Sequence, residues 1–167
     1  IHETGTGKTG SIISLVESLR ESDTTYVKKV YVLEPGPPTV EDFKDQIVKL
    51  SSSDYYNVET ILESEVEKTR KNNLSRLINR EYEVTTYQKF VKNNLTDEFI
   101  SGYYSDCVFF FDEAHKLRNL SDNSGGKLTD DQLDKIYNYI WKVVHLAKRI
   151  KVIVGTATPM INSQRDF

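Results

Sequence analysis

A segment of glycine and threonine residues near the start of the chain ends in a lysine and leads into a helical pattern. Gly5, Thr6 and Gly7 are followed by Lys8 and Thr9. Because glycine readily adopts positive φ, this backbone can close on a polyphosphate so that successive N–H groups face its oxygens. Lys8 would then place its charge on the β- and γ-phosphates, and the Thr9 hydroxyl suits Mg²⁺. The segment therefore predicts a phosphate-binding loop.

The residues after Thr9 predict that this loop lies at a helix N-terminus. Their apolar side chains have helical spacing and are Ile12, Ile13, Leu15, Val16 and Leu19. Bound phosphates would face the positive end of the helix dipole. A glycine-rich turn that merely begins an ordinary helix has the same local pattern, and His2 stands where the general phosphate-loop pattern has its first glycine. The loop therefore needs support from elsewhere in the chain.

Support comes from two carboxylates that follow a continuous apolar run. The run from Cys107 to Phe111 is typical of a strand buried in a parallel sheet, and Asp112 and Glu113 come directly after it. An open α/β sheet binds its ligand at the carboxyl ends of its strands. There Asp112 would hold Mg²⁺ through its water shell, and Glu113 would orient and deprotonate an attacking water. The alternative is an acidic pair that caps the next helix.

Four short segments rich in β-branched and aromatic residues predict the strands of one sheet. They run from Val27 to Leu33, Val84 to Tyr87, Cys107 to Phe111 and Lys151 to Val154, and helical stretches separate them. This alternation predicts an α/β fold with a parallel sheet. Residues 51–80 are polar and of mixed charge, which predicts a helical insertion at the surface, and residues 119–127 predict a flexible loop.

Capping residues predict two helices of this domain. Thr39 would cap a helix through Leu50, with Phe43 and Ile47 facing inward beside Leu50. Thr129 and the glutamine three residues later predict a capping box ahead of a second helix. The apolar stripe of that helix comprises Leu133, Ile136, Tyr137, Ile140, Trp141, Val144 and Ala147. Such a stripe predicts packing against the sheet and not a platform on which bases stack.

Three segments resemble motifs I, II and III of the superfamily-two helicases, in the order in which that family carries them. They are Thr4 to Thr9, Asp112 to His115 and Thr156 to Pro159. Val84 to Tyr87 is similar to the motif Ib strand of Swi/Snf-type ATPases, and Leu33 to Pro35 occupies the motif Ia position. The first and last motifs resemble those of large-DNA-virus ATPases, such as poxvirus nucleoside triphosphatase I and early transcription factor helicases. The resemblance implies a RecA-like three-layer domain whose parallel sheet is flanked by helices and is incomplete at its N-terminus.

The resemblance also implies which residues bind the nucleotide and the metal. ATP or another NTP would be held by Thr4, Gly5, Thr6, Gly7, Lys8, Thr9 and Asp112. Thr9 and Asp112 would ligate Mg²⁺, whereas Glu113 and Lys8 would act in catalysis.

Motif III implies residues that couple hydrolysis to movement. The hydroxyls of Thr156 and Thr158 would lie beside the acidic pair, where they can hydrogen-bond His115 and sense the γ-phosphate. A threonine-rich turn that satisfies backbone groups ahead of Pro159 is the alternative interpretation. A histidine beside a strand end is also often a structural residue.

Contacts with nucleic acid must be local, because the chain has a net charge of −3 and no overall basic character. Thr85 and Thr86 offer hydroxyls suited to phosphate oxygens, and Lys89 and Lys92 follow them. A solvated helix face with ordinary lysines fits this pattern equally well. The motif Ib resemblance favours Thr85, Thr86 and Lys89 as nucleic-acid contacts.

The resemblance covers the first of two motor domains. Residues 1–167 are expected to form an N-terminal RecA-like ATP-binding domain, as a fragment of a longer polypeptide that also carries a second RecA-like domain with motifs IV to VI. The intact protein would couple NTP hydrolysis to translocation on DNA or to its remodelling, with viral transcription machinery as a further partner. The alternatives are the motor of a restriction endonuclease subunit and a nucleotide-sensing scaffold without turnover. The isolated fragment is expected to be nearly inactive.

Composition agrees with one globular domain, since 38% of the residues are hydrophobic and 28% are charged. Cys107 is the single cysteine and lies inside a predicted buried strand, which leaves no disulfide framework. A reducing, intracellular location is therefore expected, and the viral resemblance implies a virion or a viral factory in the host cytoplasm. No apolar stretch has the length of a membrane span, so no membrane partner is expected.

Overall fold

The computed structural model describes residues 7–22, 26–50, 75–93, 95–119 and 128–156. The strands among these residues are β1 (Lys29–Glu34), β2 (Tyr82–Thr86), β3 (Cys107–Phe111) and β4 (Lys151–Val154). The labelled helices are α1 (Lys8–Glu21), α2 (Pro37–Leu50), α3 (Tyr87–Val91), α4 (Asp97–Tyr103) and α5 (Asp130–Leu146), and a 3₁₀-helix spans Ala114–Asn119. Residues 75–80 of the predicted insertion are helical, whereas residues 51–74 of that insertion and residues 120–127 of the predicted loop lie outside the described residues.

The strands form one parallel sheet in the order β2-β1-β3-β4, which confirms the predicted α/β fold. Val32 of β1 pairs with Val84 on one side and with Phe110 on the other, and Phe110 pairs with Ile153 of β4. Strands β3 and β4 have the predicted bounds. Strand β1 is shifted, because it runs from Lys29 to Glu34 and not from Val27 to Leu33.

The strand predicted from Val84 to Tyr87 instead covers Tyr82–Thr86, and Tyr87 is the first residue of α3. The Thr86 hydroxyl accepts a hydrogen bond of 3.2 Å from the Lys89 backbone N–H. This bond is an N-cap, which stabilises a helical turn directly after Thr86. The strand therefore ends one residue earlier than its sequence pattern predicts.

Helices cover both faces of the sheet and produce the predicted three layers. On one face, Ile13 of α1 and Phe43 of α2 pack against a cluster that includes Phe110. On the other face, α3, α4 and α5 contribute to a second cluster, in which Phe90 and Phe109 are buried. A parallel sheet that is buried on both faces needs apolar residues at successive positions, which explains the continuous apolar run of β3.

Helix α2 begins at Pro37, two residues before the predicted cap. Proline suits the first helical position because its φ is already helical and its missing N–H would have no intrahelical partner there. The Thr39 hydroxyl donates to the Gly36 carbonyl at 2.8 Å and lies inside the helix. Phe43 and Ile47 are buried as predicted, but Leu50 is 52% exposed, so its inward assignment was wrong.

Helix α5 has the predicted capping box, in which Thr129 and Gln132 bond reciprocally to each other's backbone N–H. Its buried side, however, is centred on Leu133, Ile136, Tyr139 and Val143. Tyr137 and Trp141 are 42% and 59% exposed, so their assignment to the core was wrong. Helical spacing was correctly recognised, but the stripe is rotated toward Tyr139 and Val143.

Among the described helices, none combines the length and apolar character needed to span a bilayer.

Candidate functional site

The acidic segment after β3 is held by backbone hydrogen bonds from the strands on both sides. The Asp112 N–H donates to the Leu33 carbonyl of β1 at 3.0 Å. On the other side, the Gly155 N–H donates to the Phe111 carbonyl at 2.8 Å, and the Ala114 N–H donates to the Gly155 carbonyl at 3.2 Å. The sheet pairing thus continues past the ends of the strands, which fixes the acids at the carboxyl edge where α/β sheets bind ligands.

Glu113, His115 and Thr156 meet at this edge. Glu113 Oε2 lies 3.2 Å from His115 Nδ1, and the Thr156 hydroxyl lies 2.8 Å from the same nitrogen. A protonated Nδ1 donates to the carboxylate, whereas an unprotonated Nδ1 accepts from the hydroxyl. The predicted hydrogen bond between His115 and motif III is confirmed at Thr156, while Thr158 lies outside the described residues.

Glu113 has a φ of 48°, in the left-handed region that residues with a side chain enter rarely. Non-glycine residues with such backbone angles cluster at functional sites, where surrounding contacts hold them. This conformation turns the chain sharply after β3 and lets the 3₁₀-helix begin at Ala114. The turn places Glu113 and His115 close together although they are only two positions apart.

Gly155 is a site residue to which the sequence interpretation gave no role. A Cβ at this position would lie 2.8 Å from Cε2 of Phe110 and 2.9 Å from Oδ1 of Asp112. Both distances are shorter than a real Cβ contact, so glycine is required for the backbone of motif III to approach the acid. A glycine at the end of a strand often marks such a close approach, and this was the available sequence signal.

Tyr87 is a second residue whose contact with the site was missed. Its hydroxyl donates to the Asp112 carbonyl at 2.9 Å, and its ring stacks on Phe111 with centroids 6.3 Å apart. Burial, and then the negative charge of Asp112, raises the pKa of Tyr87 far above its usual range. The hydroxyl therefore keeps its proton and remains a donor.

Glu34, at the end of β1, is another buried group at this edge, with 1% exposure.

The described part of the phosphate loop has the backbone geometry expected from its glycines. Gly7 is the N-cap of α1 with a φ of 86°, and its carbonyl accepts from the Ser11 N–H at 2.9 Å. Thr9 lies in the first turn of α1 and is half-buried. Thr4, Gly5 and Thr6 lie outside the described residues, as does the side chain of the lysine that begins α1. The contacts of these residues with phosphate stay predictions.

The oxygen donors of the site fit Mg²⁺ that binds together with a nucleotide. Among the described residues, no group of three or more His, Cys, Asp and Glu side chains is arranged to hold a metal ion. Mg²⁺ typically takes one or two protein carboxylates, and phosphate oxygens and water complete its ligands. The Asp112 carboxylate and the Thr9 hydroxyl are hard donors of this kind. The donor set therefore fits a metal that arrives with phosphates.

The predicted nucleic-acid residues border a groove of about 400 Å³ between α2, β2 and α3. We call it the lysine groove, because Lys44, Lys89 and Lys92 line it together with Thr86. Thr85 also lines it but is only 5% exposed, so it offers little surface to a ligand. The sequence interpretation gave no role to Lys44, which belongs to α2 and reaches this groove only through the tertiary fold. Its ammonium lies 3.6 Å from the carboxylate of Glu41, which also lines the groove.

Comparison with known proteins identifies relatives of the chain. The family described as "Type III restriction enzyme, res subunit" matches residues 1–161. A protein of Acanthamoeba polyphaga mimivirus named "Putative ATP-dependent RNA helicase" is 25% identical over 188 residues, which cover 95% of this chain and 16% of that protein. A protein of Invertebrate iridescent virus 3 named "Putative helicase" is 28% identical and covers 96% of this chain. The chain spans 16% of the length of each of these two relatives.

A solved structure supports the fold. The helicase domain of Hef from Pyrococcus furiosus superposes with a TM-score of 0.57 and 22% sequence identity, over 98% of this chain and 30% of that one. At this identity the similarity concerns the fold alone. It agrees with the parallel sheet and its two helical layers.

Proposed function

Because the chain belongs to the family of the type III restriction enzyme res subunit, a group of superfamily-two helicases, we propose that it binds and hydrolyses ATP or another NTP with Mg²⁺. Residues Thr4 to Thr9 would hold the phosphates, with Lys8 on the β- and γ-phosphates. Asp112 and Thr9 would hold the metal, which when bound neutralises charge that develops on the phosphates. Glu113 would orient and deprotonate the water that attacks the γ-phosphate.

The observation that carries this proposal is the cluster of Glu113, His115 and Thr156 at the carboxyl edge of the sheet. His115 Nδ1 faces both the Glu113 carboxylate and the Thr156 hydroxyl. It can therefore exchange one hydrogen-bond partner for the other while all three groups stay in the site. Such an exchange gives the carboxylate two environments, one paired with His115 and one open to a water. The hydrogen bond between His115 and Thr156, which follows β4, supports the proposed coupling role of these two residues, and Thr158 would act beside them.

We further propose that the intact protein uses this cycle to move along or remodel DNA. The lysine groove supports the nucleic-acid part, because Thr86, Lys89 and Lys92 present a hydroxyl and two cations to one space. A second RecA-like domain of the same polypeptide would supply the arginines that complete the site, and transcription machinery in a virus-infected cell is the proposed setting. The name of the mimivirus relative gives RNA as its substrate, so the test must compare both nucleic acids.

A second candidate function is the motor of a restriction endonuclease subunit, which the description of the family favours. The two functions differ in the rest of the polypeptide, since a restriction subunit works with a nuclease. Cleavage of DNA during NTP hydrolysis would favour the restriction motor. A nucleotide-sensing scaffold is less favoured, because Glu113 retains the carboxylate that turnover needs.

The proposal is tested with the intact polypeptide. We expect Lys8→Ala to weaken Mg·NTP binding, and Glu113→Gln to retain binding but abolish turnover stimulated by DNA or RNA of equal length. Lys135→Ala and Glu98→Gln are matched controls, because both residues are exposed and belong to α5 and α4, outside the segments that form the site. Unchanged nucleotide affinity in folded Lys8→Ala protein would contradict the phosphate-loop assignment. Wild-type turnover in Glu113→Gln would contradict the role of the acid.

A further inference from the structure

Tyr87 connects the lysine groove to the acidic segment. It is the first residue of α3 and directly follows Thr86, whose hydroxyl caps the helix through the Lys89 N–H. Its hydroxyl reaches the end of β3, which β1 separates from β2 in the sheet, and donates to the Asp112 carbonyl at 2.9 Å. A single side chain thus joins the helix that carries Lys89 to the backbone that precedes Glu113.

The Asp112 carbonyl controls the conformation of Glu113. Its carbon is one of the four atoms that define the φ of Glu113, and this angle is 48°. Such an angle is unfavourable for a residue with a Cβ, so neighbouring contacts must hold it. The Asp112 N–H is bound to β1 and the Ala114 N–H to Gly155. Tyr87 completes this set because it holds the oxygen of the peptide between Asp112 and Glu113.

Tyr87 is also placed to move together with α3. Its side chain is 0% exposed, and its ring lies nearly parallel to that of Phe111, at an angle of 10°. Phe90, one helical turn later, is 1% exposed and belongs to the same cluster. Because the side chain is fully buried, packing holds its rotamer, so a displacement of α3 is transmitted to the hydroxyl and to Phe111 of β3.

We propose that Tyr87 is a positioning residue that transmits nucleic-acid binding in the lysine groove to the carboxylate of Glu113. This inference rests on the proposed function. Phosphates that contact Thr86 and Lys89 shift α3, and the Tyr87 hydroxyl carries the Asp112 carbonyl with it. The peptide before Glu113 then reorients and changes the contact of its carboxylate with His115. Nucleic acid thereby controls whether the carboxylate is paired with the histidine or turned to the attacking water.

The test compares Tyr87→Phe with Tyr104→Phe in the intact polypeptide. Tyr104 is a matched control, because it is also 0% exposed in the same cluster and its hydroxyl contacts Tyr139 at 3.4 Å, not the acidic segment. Phenylalanine keeps the stacking on Phe111 and removes only the hydroxyl. We expect Tyr87→Phe to lower the nucleic-acid-stimulated kcat about tenfold, which corresponds to ~1.4 kcal/mol. The nucleotide affinity and the nucleic-acid concentration at half-stimulation should stay within about twofold of wild type, as one lost hydrogen bond away from both ligands implies.

Two kinetic results would overturn the inference. One is an equal effect of Tyr87→Phe and Tyr104→Phe on the stimulated kcat. The other is a loss of nucleotide affinity by the same factor as kcat, because Tyr87 would then merely maintain the site. Crystal structures of both variants give an independent measurement: Tyr87→Phe should change the contact of 3.2 Å between Glu113 and His115, and an unchanged contact contradicts positioning. Failure of the wild-type protein to hydrolyse NTP refutes the proposed function, whereas the crystal structures alone then decide whether Tyr87 positions Glu113.

Discussion

Replacement of Gly155 by alanine is the perturbation whose consequence the structure defines best. The added methyl group would lie 2.8 Å from Cε2 and 2.9 Å from Cζ of Phe110, and 2.9 Å from Oδ1 of Asp112. Phe110 is 1% exposed and packs against Phe43, so its ring has little room to withdraw. Gly155 itself cannot withdraw freely, because its N–H and its carbonyl both bond to the segment around Asp112. The methyl group must therefore separate β4 from β3 or displace the carboxylate.

The size of the effect follows from the cost of overpacking. An extra methylene in a well-packed core costs ~1–3 kcal/mol. At 1.36 kcal/mol for each factor of ten, this range corresponds to an opening constant that rises about 5- to 160-fold. We also expect weaker Mg·NTP binding, because the displaced Asp112 oxygen is a proposed metal ligand. The two effects share one cause and should appear together.

Amide hydrogen exchange of β3 and β4 in the intact polypeptide measures the opening constant of this domain directly. Gly102→Ala is the matched control, because a Cβ there meets nothing within 4 Å and Gly102 lies in α4. Alanine in a helix is ~1 kcal/mol more favourable than glycine, so the control should exchange no faster than wild type. Wild-type exchange and wild-type Mg·NTP affinity in Gly155→Ala would refute the argument that this glycine is required by close packing.

Three further predictions concern the coupling motif, the isolated domain and the cysteine. Thr156→Ala combined with Thr158→Ala should leave nucleotide binding nearly intact but lower DNA-stimulated turnover and movement per NTP; wild-type values for both activities would reduce motif III to a structural turn. Purified residues 1–167 should bind NTP but barely hydrolyse it, because arginines from a partner domain are worth about 10³–10⁵ in rate in related phosphoryl transfer; robust turnover that Glu113→Gln abolishes would contradict this. Burial raises the pKa of Cys107 to about 11, so at pH 8 its thiol stays protonated, and peptide mass spectrometry should show far slower alkylation in native than in unfolded protein; equal rates would contradict its burial.

Local patterns predicted those parts of the fold that local physics determines. The bounds of β3 follow from its continuous apolar run, and the capping box at Thr129 follows from two residues three positions apart. The contact of His115 with Thr156 was predictable because parallel strands align their carboxyl ends. Each of these features depends on neighbours in sequence or on the general geometry of a parallel sheet.

Other features depend on tertiary packing and were missed. The helical spacing of α5 could not reveal which side of the stripe faces the sheet, so Tyr137 and Trp141 were assigned to the core although both are exposed. The prediction that Leu50 faces inward was wrong for a related reason. Leu50 is the last residue of α2 and lies outside the buried side of that helix. The contact of Tyr87 with Asp112 joins residues 25 positions apart. No periodicity of the sequence encodes such a distance.

The position of each strand in the sheet separates the fixed part of the site from the part that can move. Strand β3 lies between β1 and β4, so the backbone around Asp112 is bonded from both sides and is expected to open less readily than the edge of the described sheet. Strand β2 lies at the end of the described sheet, and the helix that follows it carries Lys89. The peptide between Asp112 and Glu113 lies between the bonded N–H groups of Asp112 and Ala114, so it can reorient while the strands stay paired. Because Tyr87 spans these two regions, its hydroxyl is where a movement at the edge strand can reach the carboxylates without opening the centre of the sheet.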